Sequence, residues 1–125
     1  MFNILLDIKQ KLIDTGKLSS VYIGAESVSA GDTPFALIVS KRAENAGYAD
    51  TLYIKVYIGT DIKHTMQETY EEHVNLLSVI RSALNIKNIG TGVCRYERTH
   101  FDEDSIDNFK ISILEFKVEE IEFGC

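Results

Sequence analysis

The first apolar pattern in the chain has the spacing of an α-helix. Leu5, Ile8 and Leu12 recur three and four positions apart within residues 4–15, so they share one side of a helix whose other side is polar. Gly16 follows, and glycine readily adopts the left-handed backbone conformation in which many helices end. The pattern therefore predicts an amphipathic helix over residues 4–15.

A longer helical pattern covers residues 66–84. Thr65 lies just before this helix and Glu68 lies in its first turn. Their spacing is that of a capping box, in which each side chain accepts a hydrogen bond from a backbone N–H at the start of the helix. The apolar positions form one stripe with a repeat of three and four, and we expect all of its members to face the core. The stripe consists of Tyr70, Val74, Leu77, Ile80 and Leu84.

The clearest strand lies between residues 52 and 58, where two kinds of side chain alternate strictly. Side chains of a strand point alternately to opposite faces of the sheet, so the two sets lie on different faces. The apolar set, which predicts the core face, is Leu52, Ile54, Val56 and Ile58. The outer set is Tyr53, Lys55 and Tyr57.

Shorter patterns predict the other strands. An apolar run at 21–23 indicates a short strand, and the run FALIV at 35–39 is typical of a central strand that is buried on both faces. The polar stretch 41–50 predicts a long hairpin loop, and a second loop is expected at 24–33. Residues 93–98 predict a strand with Cys94 and Tyr96 on one face.

In the last predicted strand, the apolar residues shift from odd-numbered to even-numbered positions along the chain. A flat strand with one buried face cannot do this, because a shift of one residue moves every side chain to the other face. Either β-bulges twist the strand, or its two faces are covered along different parts of it, by another subunit or a long helix. Phe109, Ile111 and Ile113 have one parity, and Leu114, Phe116 and Val118 have the other.

The predicted order of elements is α-β-β-β-α-β-β in one α+β domain over residues 1–125. Consecutive strands with short connections should pair antiparallel, which gives a mainly antiparallel sheet of about five strands. Both helices should pack on one face of this sheet.

Composition excludes several classes of function. A net charge of -6 and a pI near 5.0 disfavour phosphate binding, so no specific nucleic acid is expected. No stretch approaches the roughly 20 apolar residues that a membrane span needs, and no membrane partner is expected. The N-terminal residues lack a basic leader, which argues against a secretory signal peptide.

Residues with chemical potential are few and lack the spacing of known sites. His64, His73 and His100 show no metal-ligand motif, and we interpret His73, close to the helical stripe, as a satisfied or partly exposed side chain. Cys94 and Cys125 show neither metal-site nor redox spacing. The acidic turn after His100 lacks the glycine and glutamate of a calcium loop. We predict no catalytic, cofactor-binding or metal-binding residues, and no enzyme.

Contact surfaces are the remaining candidates. Tyr53, Lys55 and Tyr57 on the outer strand face have the composition of a subunit interface, unless a helix or the core edge covers them. The acidic turn would be complementary in charge to that face. Its residues are Asp102, Glu103 and Asp104.

The order and length of the elements resemble the tail-terminator and tail-completion proteins of bacteriophages and prophages, the minor tail protein U-like family. The segments that carry the resemblance are FNILLDIKQKLID, PFALIV, TLYIKVYIGT, TMQETYEEHVNLLSVIRSAL and NFKISILEFKVEEIEF. The resemblance implies a structural subunit that assembles into a ring, caps the tail tube and contacts the head-tail connector. It also implies no cofactor, no enzymatic activity, and a location in the host cytoplasm and then in the virion tail.

Two functions follow from these expectations. The first is a virion assembly protein that terminates or completes a phage tail and joins it to the head, through self-association and contacts with tail-tube and connector proteins. The alternative is a small α+β ligand- or protein-binding module of bacterial origin without catalytic activity.

Overall fold

The residues that the computed structural model describes form two helices and six strands. Their bounds are α1 Phe2–Asp14, β1 Ser20–Ile23, β2 Phe35–Ala46, β3 Ala49–Asp61, α2 Met66–Leu84, β4 Lys87–Ile89, β5 Gly92–Phe101 and β6 Phe109–Ile121. The structure describes residues 2–24, 34–46, 49–61, 66–89, 92–101 and 109–121. The predicted capping residue Thr65, His64, the acidic turn and Cys125 lie outside these ranges.

The strands form one sheet in the order β1-β2-β3-β6-β5-β4. The α+β class and the order α-β-β-β-α-β-β are confirmed, with the three-residue β4 added before β5. All neighbouring strands pair antiparallel except β1 and β2, which are parallel. The expectation that consecutive strands pair antiparallel is therefore wrong for this pair, in which Ser20 lies opposite Phe35 and Ile23 opposite Ile38.

The hydrophobic core lies between one face of the sheet and both helices, as predicted. Even-numbered positions of β2, β3 and β6 face the helices, because side chains alternate along a strand. The helices contribute Ile4, Leu5, Ile8, Leu12, Leu76, Leu77, Ile80 and Leu84, and the sheet contributes Ala36, Ile38, Leu52, Ile54, Val56, Ile58, Cys94, Leu114, Phe116 and Val118.

Helix α1 ends as its sequence predicts. Gly16 has a φ of 69°, and its N–H donates to the carbonyl of Ile13 over 3.1 Å. The positive φ lets the chain turn away after Asp14 and lead into β1. Within the part of the chain that is described, no helix is long and apolar enough to cross a membrane.

The predicted apolar stripe of α2 is rotated in the structure. Tyr70 and Val74 were expected in the core, yet their side chains are 46% and 48% exposed. Thr69 and His73 take the buried positions in their place. The rotation follows from hydrogen bonds of His73 that are described below, and it leaves the two apolar side chains on the rim of the helix.

The polar segment at 41–50 is not a long loop. Strands β2 and β3 continue to pair as far as Ala46 and Ala49, with an irregularity between Ser40 and Ala43. The prediction took the polar side chains as a sign of a loop, but the end of a two-stranded antiparallel ribbon can be polar on both faces. Residues 35–39 belong to β2, an interior strand between β1 and β3, but the expected burial of both faces is wrong for Leu37 and Val39, which are half-buried.

Strand β6 resolves the two alternatives for its change of phase. It pairs with β3 without any register shift from Phe109 to Ile121, so no bulge interrupts this pairing. Ser112 and Leu114 point toward the helices and are buried, while Ile111 and Ile113 lie on the opposite face and are half-buried. Apolar side chains on both faces of a regular strand explain the pattern.

The face of the sheet opposite the helices is not covered by any described helix or strand, and we call it the open face. Its central residues are Leu37, Val39, Tyr53, Lys55, Tyr57, Ile113 and Glu115. Phe35 lies beyond one end of the open face, opposite Gly59 in register, and its side chain is 1% exposed, so this end of the sheet is closed to solvent. A Cβ at position 59 would overlap the ring of Phe35, so a larger residue there would force this ring to move.

We predict that Gly59→Ala lowers the free energy of unfolding by about 1–3 kcal/mol, because the new methyl group overlaps a buried ring that has to move. Urea unfolding followed by circular dichroism measures the change. Combining it with Phe35→Leu should recover part of the loss. If the double variant shows the full sum of both single losses, contact with Phe35 is not the cause.

Candidate functional site

The open face has an apolar half and a charged half. The register of the strands places Leu37, Tyr57 and Ile113 side by side across β2, β3 and β6. The next row holds Val39, Lys55, Glu115 and Arg98 across β2, β3, β6 and β5. Half-buried apolar side chains therefore border directly on a row of alternating charges.

Glu115 is the centre of the charged half. Its Oε2 atom lies 3.3 Å from Arg98 Nε and 3.0 Å from His100 Nε2, and its Oε1 atom lies 3.9 Å from Lys55 Nζ. The Glu115 side chain is only 17% exposed. One carboxylate thus orders three basic side chains from the two neighbouring strands.

A second ion pair continues the charged half. Lys117 Nζ lies 3.2 Å from Glu119 Oε1, and this hydrogen bond raises the pKa of Lys117. Lys117 is opposite Tyr53 on one side and Arg95 on the other. The aromatic ring of Tyr53 is therefore bordered by charged side chains, whereas Tyr57 lies in the apolar half.

The structure places Tyr53, Lys55 and Tyr57 on one face, as their alternation predicts, and no helix covers them among the described residues. Asp102, Glu103 and Asp104 lie outside the described residues, so their proposed role is not addressed. Sequence reasoning missed Glu115, Arg98 and His100. Alternating charges at Glu115, Lys117 and Glu119 were a signal, but only the register shows which strand they face.

His73 on α2 is fully buried between two strands. Its Nδ1 atom lies 2.6 Å from Thr60 Oγ1 on β3, and its Nε2 atom lies 2.6 Å from Ser112 Oγ on β6. One ring nitrogen of a neutral imidazole donates and the other accepts, and hydroxyl groups can serve either role. The three side chains connect the helix to the two central strands, and the interpretation of His73 as a satisfied histidine agrees with this geometry.

The His73–Ser112 distance is one that a base and a nucleophile could have. Both side chains are 0% exposed, however, and Thr60 is 1% exposed, so a substrate has no access to them in this conformation. Burial also raises the pKa of the Cys94 thiol to about 12, which makes it a poor nucleophile. His73, Thr60, Ser112 and Cys94 are all buried on the helix side of the sheet.

Acidic and basic side chains of the described residues do not form a metal centre. No group of three or more histidine, cysteine, aspartate or glutamate residues in that part of the chain could hold a metal ion. His100 has Glu115 as its neighbour, but the other groups around this carboxylate are cations. Their positive charge makes the position unsuitable for a metal ion.

Comparisons with known proteins do not assign a family. No family model matches the chain, and no curated protein matches it. A similar solved structure is the type 4 fimbrial biogenesis protein PilO from Pseudomonas aeruginosa, with a TM-score of 0.46 and 14% identity, covering 95% of this chain and 67% of that chain. A similarity of this size does not carry a function from one protein to the other.

The predicted membership of the phage tail-terminator and tail-completion family is wrong. No family model matches the chain, and the similar solved structure reported above is a type 4 fimbrial biogenesis protein, not a phage tail protein. The virion assembly role, with its ring, tail tube and connector, is therefore set aside. The resemblance depended on the order and length of elements, and unrelated α+β proteins can share both.

We predict that Glu115→Gln lowers the free energy of unfolding by about 1 kcal/mol, because Lys55, Arg98 and His100 lose the carboxylate between them. Chemical unfolding at low ionic strength measures the effect. Glu119→Gln is the control, with a smaller expected change than Glu115→Gln, since Glu119 is more exposed than Glu115 and pairs with Lys117. Equal effects of the two substitutions would contradict a central role of Glu115.

We predict that His73→Leu lowers the free energy of unfolding by about 2–5 kcal/mol, because it leaves the buried hydroxyl groups of Thr60 and Ser112 without their partner. Adding Thr60→Val and Ser112→Ala should restore part of this loss, since the unsatisfied groups are then removed. His100→Leu is the control at an exposed position, with an expected loss below about 1 kcal/mol. If His73→Leu also lowered the free energy of unfolding by less than about 1 kcal/mol, the hydrogen bonds of His73 would not stabilise the fold.

Proposed function

We propose that this protein is a small protein-binding module without catalytic activity, and that it binds a partner protein through the open face of its sheet. One observation carries the proposal: the apolar side chains of Leu37, Tyr57 and Ile113 lie in one row on a face that no described element covers. A sheet normally buries such a row against a second layer. The partner protein supplies that layer.

The composition of the open face supports this function. Tyrosine is enriched in protein interfaces because its ring buries a large apolar area while its hydroxyl group can stay hydrogen-bonded. Tyr53 and Tyr57 are half-buried in the free protein, so their rings are already held by neighbours. Little conformational entropy is then lost when a partner covers them.

The charged half of the face favours a partner with acidic groups at the rim of its contact surface. Lys55, Arg95, Arg98 and Lys117 lie on this face together with Glu97, Glu115 and Glu119, and two of these cations, Arg95 and Arg98, lie on its β5 side. An acidic partner is attracted to this face and repelled by the remaining surface.

Ordering of the cations strengthens the same argument. Arg98 and Lys55 approach one carboxylate, Glu115, which restricts their rotamers before any partner binds. An arginine that pairs through one nitrogen retains other N–H groups for a second carboxylate. The network therefore presents ready donors to a partner. Nucleic acid is a poorer candidate, since the acidic chain as a whole repels phosphates.

We predict that Tyr57→Ala weakens binding to the partner at least about tenfold, because it removes the largest side chain of the apolar row. The partner is first isolated on the immobilised wild-type protein, identified by mass spectrometry and purified. Isothermal titration calorimetry with the purified partner then gives the dissociation constant of each variant.

Leu6→Lys is the matched control, since Leu6 is an exposed apolar residue on α1, away from the open face. It should bind the partner as the wild type does, and both variants should keep the wild-type circular dichroism spectrum. A partner that binds Tyr57→Ala and the wild type equally well would show that the open face is not the binding surface.

A further inference from the structure

We infer that the outer edge of β5 binds an extended acidic segment of a partner protein, which adds to the sheet as a further strand. The inference rests on the proposed function in that the module binds proteins. It concerns a different surface, the edge of the sheet between Glu97 and Phe101. We call this stretch the β5 edge.

Strand β4 covers only the beginning of β5. It pairs with Gly92, Val93 and Cys94 and reaches no further. The next outward-pointing amide, the N–H of Tyr96, donates to Asn85 Oδ1 over 2.9 Å. From Glu97 to Phe101 no described strand pairs with the outer side of β5. Such an edge presents its backbone groups to any strand that approaches.

The direction of the backbone groups follows from the hydrogen bonds at the start of β5. The carbonyl of Cys94 accepts from Ile86 N–H, and Tyr96 N–H points to Asn85, so both residues direct main-chain groups outward. A register shift between Tyr96 and Arg98 inserts one residue. Alternation beyond it directs the N–H and C=O groups of Thr99 and Phe101 outward, where a new strand would meet them.

Side chains on the two sides of the β5 edge differ in character. On the open face, Arg98 and His100 are 62% and 56% exposed. On the helix side, Phe101 is 55% exposed, and Tyr70 and Val74 of α2 are on the rim of the helix. An added strand therefore meets the basic side chains of Arg98 and His100 on one face and apolar side chains on the other.

The rim of α2 belongs to the same surface. Arg81 of α2 lies over the ring of Tyr96, 4.0 Å from its centroid, so this side of the helix faces β5. In an α-helix with 3.6 residues per turn, Tyr70, Val74 and Arg81 fall on one side. The same rotation that places His73 in the core thus turns Tyr70 and Val74 toward the β5 edge.

Charge selects the occupant of this edge. Arg95 and Arg98 of β5 and Arg81 of α2 lie beside it, and the carboxylates near it are Glu97 and Glu115, of which Glu115 contacts Arg98 and His100. Antiparallel pairing of two copies about Arg98 would place two arginines opposite each other, which is destabilising. A segment that alternates acidic and apolar residues matches both faces, with its carboxylates toward Arg98 and its apolar side chains toward Phe101 and Val74.

The test uses a fluorescein-labelled peptide of eight residues that alternates glutamate and valine. Fluorescence anisotropy measures its binding to the full-length chain, and two-dimensional NMR follows the amides of Thr99 and Phe101. We expect a dissociation constant below about 1 mM and shifts of these two amides. Arg98→Gln should weaken binding about fivefold, and Phe101→Ala about tenfold.

Matched controls separate strand addition from nonspecific attraction. Lys17→Glu, at an exposed position before β1, should leave binding unchanged within about twofold. A peptide with lysine in place of glutamate should not bind. Two further peptides carry N-methyl groups on every valine or on every glutamate; at least one of them should lose binding, because one set of N–H groups pairs with β5.

Three results would overturn the inference: no binding of the peptide up to about 1 mM, binding of both N-methylated peptides as tight as that of the unmodified peptide, or binding of the lysine peptide as tight as that of the glutamate peptide. Tyr57→Ala should bind the peptide as the wild type does, because Tyr57 lies outside the β5 edge. If the wild-type protein does not bind the peptide but binds its partner more tightly than Tyr57→Ala does, only the edge inference is overturned. Peptide binding without Tyr57-dependent partner binding overturns the use of the open face and supports the edge.

Discussion

The pairing of β3 with β6 is the constraint on which the other features depend. Both strands have 13 residues, and they pair in one unbroken antiparallel register. Strict alternation of side chains along such a pair gives each face a fixed set of residues. Buried residues from Leu52 to Ile58 and from Ser112 to Val118 fall on one face, so both helices pack there. The same register leaves Tyr57, Ile113 and the row around Glu115 on the other face.

Polar contacts then fix the position of α2 on this sheet. Apolar packing alone tolerates a rotation of a helix by a fraction of a turn, since several side chains can fill the same space. The hydrogen bonds of His73 to Thr60 and Ser112 select one rotation, because a buried hydroxyl or imidazole without a partner is costly. That rotation brings Leu77, Ile80 and Leu84 into the core and places Tyr70 and Val74 beside β5.

Local patterns predicted the elements well and their assembly less well. The alternation around Tyr53, Lys55 and Tyr57 correctly separated two faces, because it depends only on the geometry of a strand. The rotation of α2 was missed, since the sequence does not show that His73 would find two hydroxyl groups in distant strands. The parallel pairing of β1 and the row from Lys55 through Glu115 to Arg98 depend on long-range register, which no local pattern contains. Element order also suggested a family that the comparisons contradict.

A sheet with one open face has to avoid stacking on another copy of itself. The charged row across Lys55, Glu115 and Arg98 opposes such stacking. When two such faces pack, either like charges lie opposite each other, or the ion pairs lose their water and gain no new partners. Arg98 opposes pairing of two β5 edges in the same way. A partner that offers carboxylates avoids both penalties, since it adds opposite charge where a second copy adds the same charge. The residues that attract an acidic partner are therefore also those that keep the module from binding itself.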